Sequence, residues 1–245
     1  MKTFTLIYAV LLLSSFGLFA QSGLNIRSGG AVTINGNLTI TPAPSFVCGN
    51  PLIDSRDGKS YSTVLIGSQC WMAQNLNVGT KILGSADQAN NGIIEKYCYN
   101  DDENMCNVYG GLYQWDEAMQ YSTIEGVQGI CPSGWHLPSD AEWTTLTTFL
   151  GGQALAGGKL KEAGYTHWVS PNTGASNSSG FTTLPGGYRS PYGYFGSLNS
   201  YAYLWSSSQF DPTLSWSRFF GYDYEFVAHN YIDKPNGFSS RCVLN

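Results

Sequence analysis

The chain has 245 residues, 12 Lys and Arg against 17 Asp and Glu, and a net charge of −5. Charged residues make up only 12% of it, about half the share usual in globular domains, while glycine (29) and tyrosine (16) are abundant, the composition of a loop-rich exported chain. An acidic chain without a basic cluster has nothing with which to neutralise phosphates, so nucleic acid is excluded as an expected partner.

Residues 1–20 have the pattern of a secretory signal peptide: Lys2 supplies the positive start, Leu6 to Phe19 is apolar apart from small residues, and Ala20 offers a small cleavage position. The apolar run is shorter than the roughly 20 residues a membrane span needs, and polar sequence follows at once. The mature chain is expected to begin at or near Gln21, to lack a membrane span, and to be secreted, extracellular or periplasmic. Residues 21–47 form an expected strand-like arm and linker. Val32 to Ile34 and Leu38 to Ile40 have extended patterning, and the Thr-Pro-Ala-Pro stretch from Thr41 resists helix and sheet alike. From Cys48 to Asn245 there is no composition shift, linker or repeat, so 48–245 is taken as one domain.

Within that domain, Tyr61 to Ile66 and Gln69 to Met72 are strand-like, and Gly67-Ser68 between them supplies the positive φ of a tight hairpin turn. A first helix is expected from Leu112 to Tyr121, with Leu112, Trp115 and Met119 on one face and Asp116 and Glu117 facing away. A second is better marked: Ser139 and Glu142 form a capping box, Trp143, Leu146 and Leu150 line one stripe, and Gly151-Gly152 stops it. Short strands are expected at Tyr201 to Ser206, Trp216 to Gly221 and Ser239 to Val243. The fold class is therefore α+β.

All six cysteines, Cys48, Cys70, Cys98, Cys106, Cys131 and Cys242, follow the expected cut, and an even count in an exported chain implies bridges. Metal ligation fits poorly: there is no C-x-x-C pair, and His136, His167 and His229 are far apart in sequence. Residue spacing alone leaves the pairing open.

Four blocks carry a family resemblance. Ile66-Gly-Ser-Gln-Cys-Trp-Met-Ala-Gln-Asn-Leu76, Cys131-Pro-Ser-Gly-Trp-His-Leu-Pro-Ser-Asp-Ala-Glu-Trp143, Gly180-Phe-Thr-Thr-Leu-Pro-Gly-Gly-Tyr-Arg189 and Gly237-Phe-Ser-Ser-Arg-Cys-Val243 resemble the Fibrobacter succinogenes major paralogous domain family. Tyr109 to Tyr113 and Gly157 to Glu162 extend the likeness in the family's order over nearly all of Cys48 to Val243. The resemblance implies a bacterial exported domain, often on cell-surface proteins, of largely undefined biochemical role. A more distant similarity is to the formylglycine-generating and C-type-lectin-like fold, through Trp115 to Met119, Leu137 to Trp143, Gly186-Gly187 and Trp205-Ser206. A likeness of fold carries no activity with it. The preferred pairing joins Cys48 to Cys70 and Cys98 to Cys106 as short loops. The third bridge, Cys131 to Cys242, would join the resemblance's Cys-Pro block to its Arg-Cys-Val end.

Candidate sites are few. His136 beside Trp135 could act as a general base but lacks a nearby partner in sequence and suits a packed corner. The Ser206 to Ser208 run has no adjacent histidine or acid, and no G-x-S-x-G elbow exists. Gly157-Gly158-Lys159 resembles the end of a phosphate loop, but Gln153 and Leu160 stand where glycine and a hydroxyl residue belong. Asp101, Asp102 and Glu103 offer hard oxygen ligands on one loop between Cys98 and Cys106 and form a candidate calcium site without EF-hand spacing; a solvated loop tip is the default. Asp54 to Gly58 is first a turn signal. The aromatic, glycine-rich stretch from Tyr188 to Trp205 suits a sugar or peptide contact surface, with Tyr192, Tyr194 and Tyr201 as candidate ligand-binding residues.

The leading expectation is a non-catalytic extracellular binding or adhesion module whose partner is a carbohydrate or cell-envelope polymer, with no cofactor. An enzyme related to formylglycine-generating oxygenases is the alternative; it would need two reduced cysteines to hold copper or attack a substrate thiol. A structural cell-surface component is the third.

Overall fold

The computed structural model describes residues 46–245 together with two short strands, Leu24–Ile26 and Val32–Ile34, which pair antiparallel. The expected signal peptide, residues 38–40 and the Thr-Pro-Ala-Pro stretch lie outside the described residues. Contacts divide the chain into two units, Met1–Val47 and Cys48–Asn245. The second unit contains all six cysteines and every block of the family resemblance.

The expected hairpin is present. Thr63–Ile66 and Gln69–Met72 pair antiparallel with Ile66 opposite Gln69, which leaves Gly67 and Ser68 as the turn, and Gly67 has φ +62°. Val243–Leu244 pairs with Gln69–Met72 on one side and with Trp135–His136 on the other, completing a four-stranded antiparallel sheet. The end of the chain is thus sewn between segments from the start and middle of the domain.

Two small sheets stand apart: Leu52–Ile53 pairs antiparallel with Ser60–Tyr61, so Tyr61 does not belong to the hairpin strand expected to start with it, and Thr80–Lys81 pairs parallel with Glu95–Lys96. A seven-stranded sheet holds the remaining strands. Its order is Phe195–Leu198, Gly186–Arg189, Tyr201–Gln209, Leu214–Gly221 and Ala228–Asp233, all antiparallel neighbours except the parallel pairing of Gly186–Arg189 with Tyr201–Gln209. Phe238–Ser239 lies parallel to Tyr201–Gln209 and pairs with Leu112–Tyr113. The strand expected from Ser239 to Val243 is two strands in different sheets, because Ser240, Arg241 and Cys242 carry the chain from one sheet to the other.

Four α-helices lie among the described residues: α1 (Glu103–Tyr109), α2 (Trp115–Ala118), α3 (Asp140–Phe149) and α4 (Gln153–Leu160). The helix expected over Leu112 to Tyr121 shrinks to α2. Leu112 is instead extended, exchanging backbone hydrogen bonds with Tyr97 and pairing with Ser239. Glu117, expected to face away, is buried, and its Oε1 accepts from the Glu95 amide. Tertiary strand pairing outweighs a three-point helical pattern here. In α3 the capping box is formed as expected, with Ser139 and Glu142 bonded reciprocally and Trp143, Leu146 and Leu150 buried. Gly151 and Gly152 end it at φ +98° and +95°, and Gly152 also caps α4, which the sequence pattern does not indicate. The Gly157-Gly158 pair lies inside α4, where a Cβ would meet the Phe226 and Gly174 carbonyl oxygens at 2.5 and 2.4 Å. Those glycines serve close backbone packing rather than phosphate.

The main core lies where the four-stranded sheet, α3, α4 and the large sheet meet. Trp71 and Trp143 have ring centroids 4.9 Å apart and both meet Phe181 edge-on, with Leu146, Leu160, Leu204, Phe220 and Val243 around them. Buried indoles keep their N–H groups partnered: Trp115 donates to the Ser206 carbonyl, Trp143 to Trp205, Trp168 to Thr183 and Trp205 to Tyr113.

Candidate functional site

Three disulfides hold the scaffold: Cys48 to Cys70, Cys98 to Cys106 and Cys131 to Cys242, the preferred pairing. Internal cations brace the loops further. Lys96, Lys161, Arg189, Arg218, Lys234 and Arg241 are buried, half of the chain's twelve basic residues. Lys161 donates to three carbonyls, of Thr173, Gly221 and Tyr224, and burial pushes its ammonium down to about 8. Lys234 donates to Gln209 and Pro212 beneath the Trp115 ring.

One such cation sets the aromatic turn. Arg189 ends its strand and donates to the carbonyls of Gly84, Ala86 and Pro235 and to the Asp87 carboxylate. Immediately beyond it, Ser190 to Tyr194 forms a tight turn: the Ser190 amide donates to the Tyr194 carbonyl, and the Gly193 amide to the Ser190 carbonyl. Gly193, at φ +85°, lies against the Gly84 backbone. The turn is therefore fixed from beneath while its rings face water: Tyr192 is 84% and Tyr194 74% exposed.

Tyr201 does not join them. It begins the long strand, at the opposite end of the hairpin from the Ser190–Tyr194 turn, and lies half-buried over Gly221 among Tyr203, Tyr222 and Tyr224. Asp101, Asp102 and Glu103 also take separate duties. Asp101 Oδ1 accepts from the Gly84 amide, Asp102 caps α1 through the Asn104 amide, and Glu103 pairs with buried Lys96 at 3.2 Å. Among the described residues no three His, Cys, Asp or Glu side chains are grouped to hold a metal ion. Asp54 to Gly58 is a turn, with Arg56 folded back on Asp54 and Gly58 at φ +74°.

His136 has partners that its sequence neighbourhood conceals. Nε2 is 2.8 Å from Glu142 Oε1 and Nδ1 is 2.6 Å from Asn245 Oδ1. Glu142 therefore serves both the helix cap and the imidazole, and the Ser139 hydroxyl donates to Glu142 rather than to the histidine. Burial alone would lower the imidazole, but the bonds to Glu142 and Asn245 hold it above its ordinary 6.5. Burial would likewise raise Glu142, yet His136 and Ser139 hold it below 4.5. A raised histidine stabilises the fold fully below 6.5 and loses that contribution as pH rises through its folded value; a lowered glutamate contributes above 4.5 and loses it in acid. Replacing His136 by Gln should therefore cost most between pH 4.5 and 6.5, about 1 kcal/mol. Urea unfolding across pH checks this; a cost independent of pH would contradict it.

A cavity of about 410 Å³ lies beside Tyr61, Asn75, Asn77, Tyr109, Glu162 and Arg241. Asn75, Asn77 and Glu162 already have partners within the protein. Asn75 binds Tyr109, Ser239 and Arg241, the Asn77 side chain takes Lys96, and Glu162 takes His167.

Fold and surface together define an α+β domain of small sheets, cross-linked by disulfides and buried cations, that presents tyrosines on a fixed turn. The chain belongs to the Fibrobacter succinogenes major domain family, whose model matches residues 64–244, from the first hairpin to the last strand. No curated protein and no solved structure matches it.

Proposed function

We propose that this domain is a non-catalytic extracellular binding or adhesion module of an exported bacterial protein, with a glycan or envelope polymer as ligand and the Ser190 to Tyr194 turn as its primary contact. The observation that carries the reading is the pair of tyrosines, exposed by 84% and 74%, on a turn anchored by buried Arg189. Tyrosine rings on a braced turn lose little entropy on binding, having only two χ angles to fix, and offer both a flat face and a hydroxyl. Three disulfides suit an oxidising compartment, and among the described residues no helix is long and apolar enough to cross a membrane. The reading takes the fold as C-type-lectin-like. Its support is the return of the last strand to the first hairpin and the Cys131 to Cys242 bridge beside it. All six cysteines are joined, whereas the thiol-dependent oxygenase alternative would need two of them reduced.

The test is retention. The oxidised protein, incubated with envelope fractions and a panel of polysaccharides, is expected to be held by one of them without altering it. Retention by none, or release of a chemically changed product, would overturn the proposal.

A further inference from the structure

Of the seven tryptophans, six are buried to 1% exposure or less, and Trp216 alone reaches solvent. Its position follows from the register of the large sheet. Leu204, Arg218 and His229 are paired across three strands, and Trp216 pairs with Tyr231 two residues along, so all five share one face. The inner part of that face is covered, since Leu204 and Phe220 pack with Trp143 and Leu146 of α3. Arg218 marks where the cover ends: its guanidinium donates to the side chain and carbonyl of Asp140, the first residue of α3. Beyond it the sheet continues and its side chains are aromatic.

These rings form a defined surface. Phe210 and Tyr231 are stacked at 4.1 Å with planes 9° apart, and each is about half exposed. Both stand nearly perpendicular to the Trp216 indole, at 5.4 Å, and His229 lies against that indole at 4.3 Å. Carboxylates fringe the rings. Asp140 Oδ1 is 2.8 Å from His229 Nε2, Asp211 follows Phe210 in the chain, and Asp233 shares the face of Tyr231. The basic groups nearby, Arg218 and Lys234, are buried and engaged.

We infer that Phe210, Trp216 and Tyr231, with His229, form a second recognition surface that takes the ring faces of an uncharged glycan chain. The inference rests on the binding-module reading. Pyranose C–H faces stack on aromatic rings, and carboxylates accept from sugar hydroxyls. The same carboxylates, on a chain of net charge −5, repel a polyanion. The surface lies at the Ala228–Asp233 edge of the sheet, whereas the Ser190 to Tyr194 turn follows the strand next to the opposite edge, so the two contacts are separate.

The test uses the full exported chain and soluble gluco-, xylo-, manno- and N-acetylglucosamine oligosaccharides, with polygalacturonate as the anionic comparator. Trp216 alone of the tryptophans meets solvent, so a bound neutral oligosaccharide should shift tryptophan fluorescence and protect it from acrylamide quenching. Phe210→Ala and Tyr231→Ala should each weaken binding at least tenfold, and polygalacturonate should not compete. The fluorescence response of the unmodified chain decides the matter if either variant unfolds. Unchanged affinity in both folded variants, competition by polygalacturonate, or no binding of any neutral oligosaccharide would overturn the inference. Binding lost only in Tyr192→Ala and Tyr194→Ala, or retention by an envelope fraction alone, would remove this second surface and leave the module reading intact. Retention by nothing would remove both.

Discussion

Replacing Cys131 and Cys242 together by alanine is expected to destabilise the domain by about 4–5 kcal/mol, more than the loss of either other bridge. The two residues are 111 apart in sequence and both fully buried. In the loop-entropy account a cross-link stabilises by restricting the unfolded chain, and the effect grows with the loop. Separations of 22 and 8 for the other bridges correspond to about 3 and about 2.5 kcal/mol on the same scale. The long bridge also fastens the last strand, which pairs with both the first hairpin and Trp135–His136. For a domain of this size the loss corresponds to a fall in melting temperature of about 8–20 °C. Urea titrations of the three double variants check the order; a smaller effect for this bridge than for Cys98 to Cys106 would contradict it.

Arg241→Ala should cost a comparable amount, about 3–5 kcal/mol. The guanidinium is fully buried, donates to Asn75 Oδ1 and to the carbonyls of Phe181 and Thr182, and lies over the Phe181 ring at 4.2 Å. Burial pushes it down to about 9, so it remains charged at neutral pH. Its removal leaves three acceptors in the interior without their donor, each costing about 1–3 kcal/mol. It also frees Asn75, which ties Tyr109 to Ser239. Arg241→Lys should recover less than half of the loss, because a single ammonium cannot reproduce a planar fork reaching three acceptors. Equilibrium unfolding of both variants checks this, and a cost below 1 kcal/mol for Arg241→Ala would contradict it. Since Arg241 adjoins Cys242, its effect and that of the bridge should not add.

Local chemistry is legible in the sequence wherever few residues decide the outcome. Gly67 between two alternating runs specifies the hairpin, and Ser139 with Glu142 specifies the start of α3, because turn and cap are satisfied within a few residues. The strands expected at Tyr201 to Ser206 and Trp216 to Gly221 are present and longer, the first ending at Gln209 and the second starting at Leu214. The misses share one physical cause. Leu112 is a strand residue because Tyr97 and Ser239 complete its hydrogen bonds, and neither is near it in sequence. Asp102 caps α1 in a run whose composition reads as a loop rather than a helix start. Lys161, Arg189 and Arg241 would be assigned to the surface by residue type, yet each gathers carbonyls from remote loops. The exposure of Tyr192 and Tyr194 is foreshadowed by a surplus of rings in a glycine-rich stretch. The surface at Phe210, Trp216 and Tyr231 is not, since it comes from three segments that only sheet register aligns.

On the proposed reading, recognition falls to exposed rings on a disulfide-braced scaffold. The most direct measurement is the affinity of the oxidised chain for the envelope component that retains it, compared with Tyr192→Ala and Tyr194→Ala, with melting temperatures recorded alongside. A loss of about 1–2 kcal/mol in binding is predicted for each variant at nearly unchanged melting temperature. Full affinity in both variants, or a fall in melting temperature with affinity intact, would contradict it.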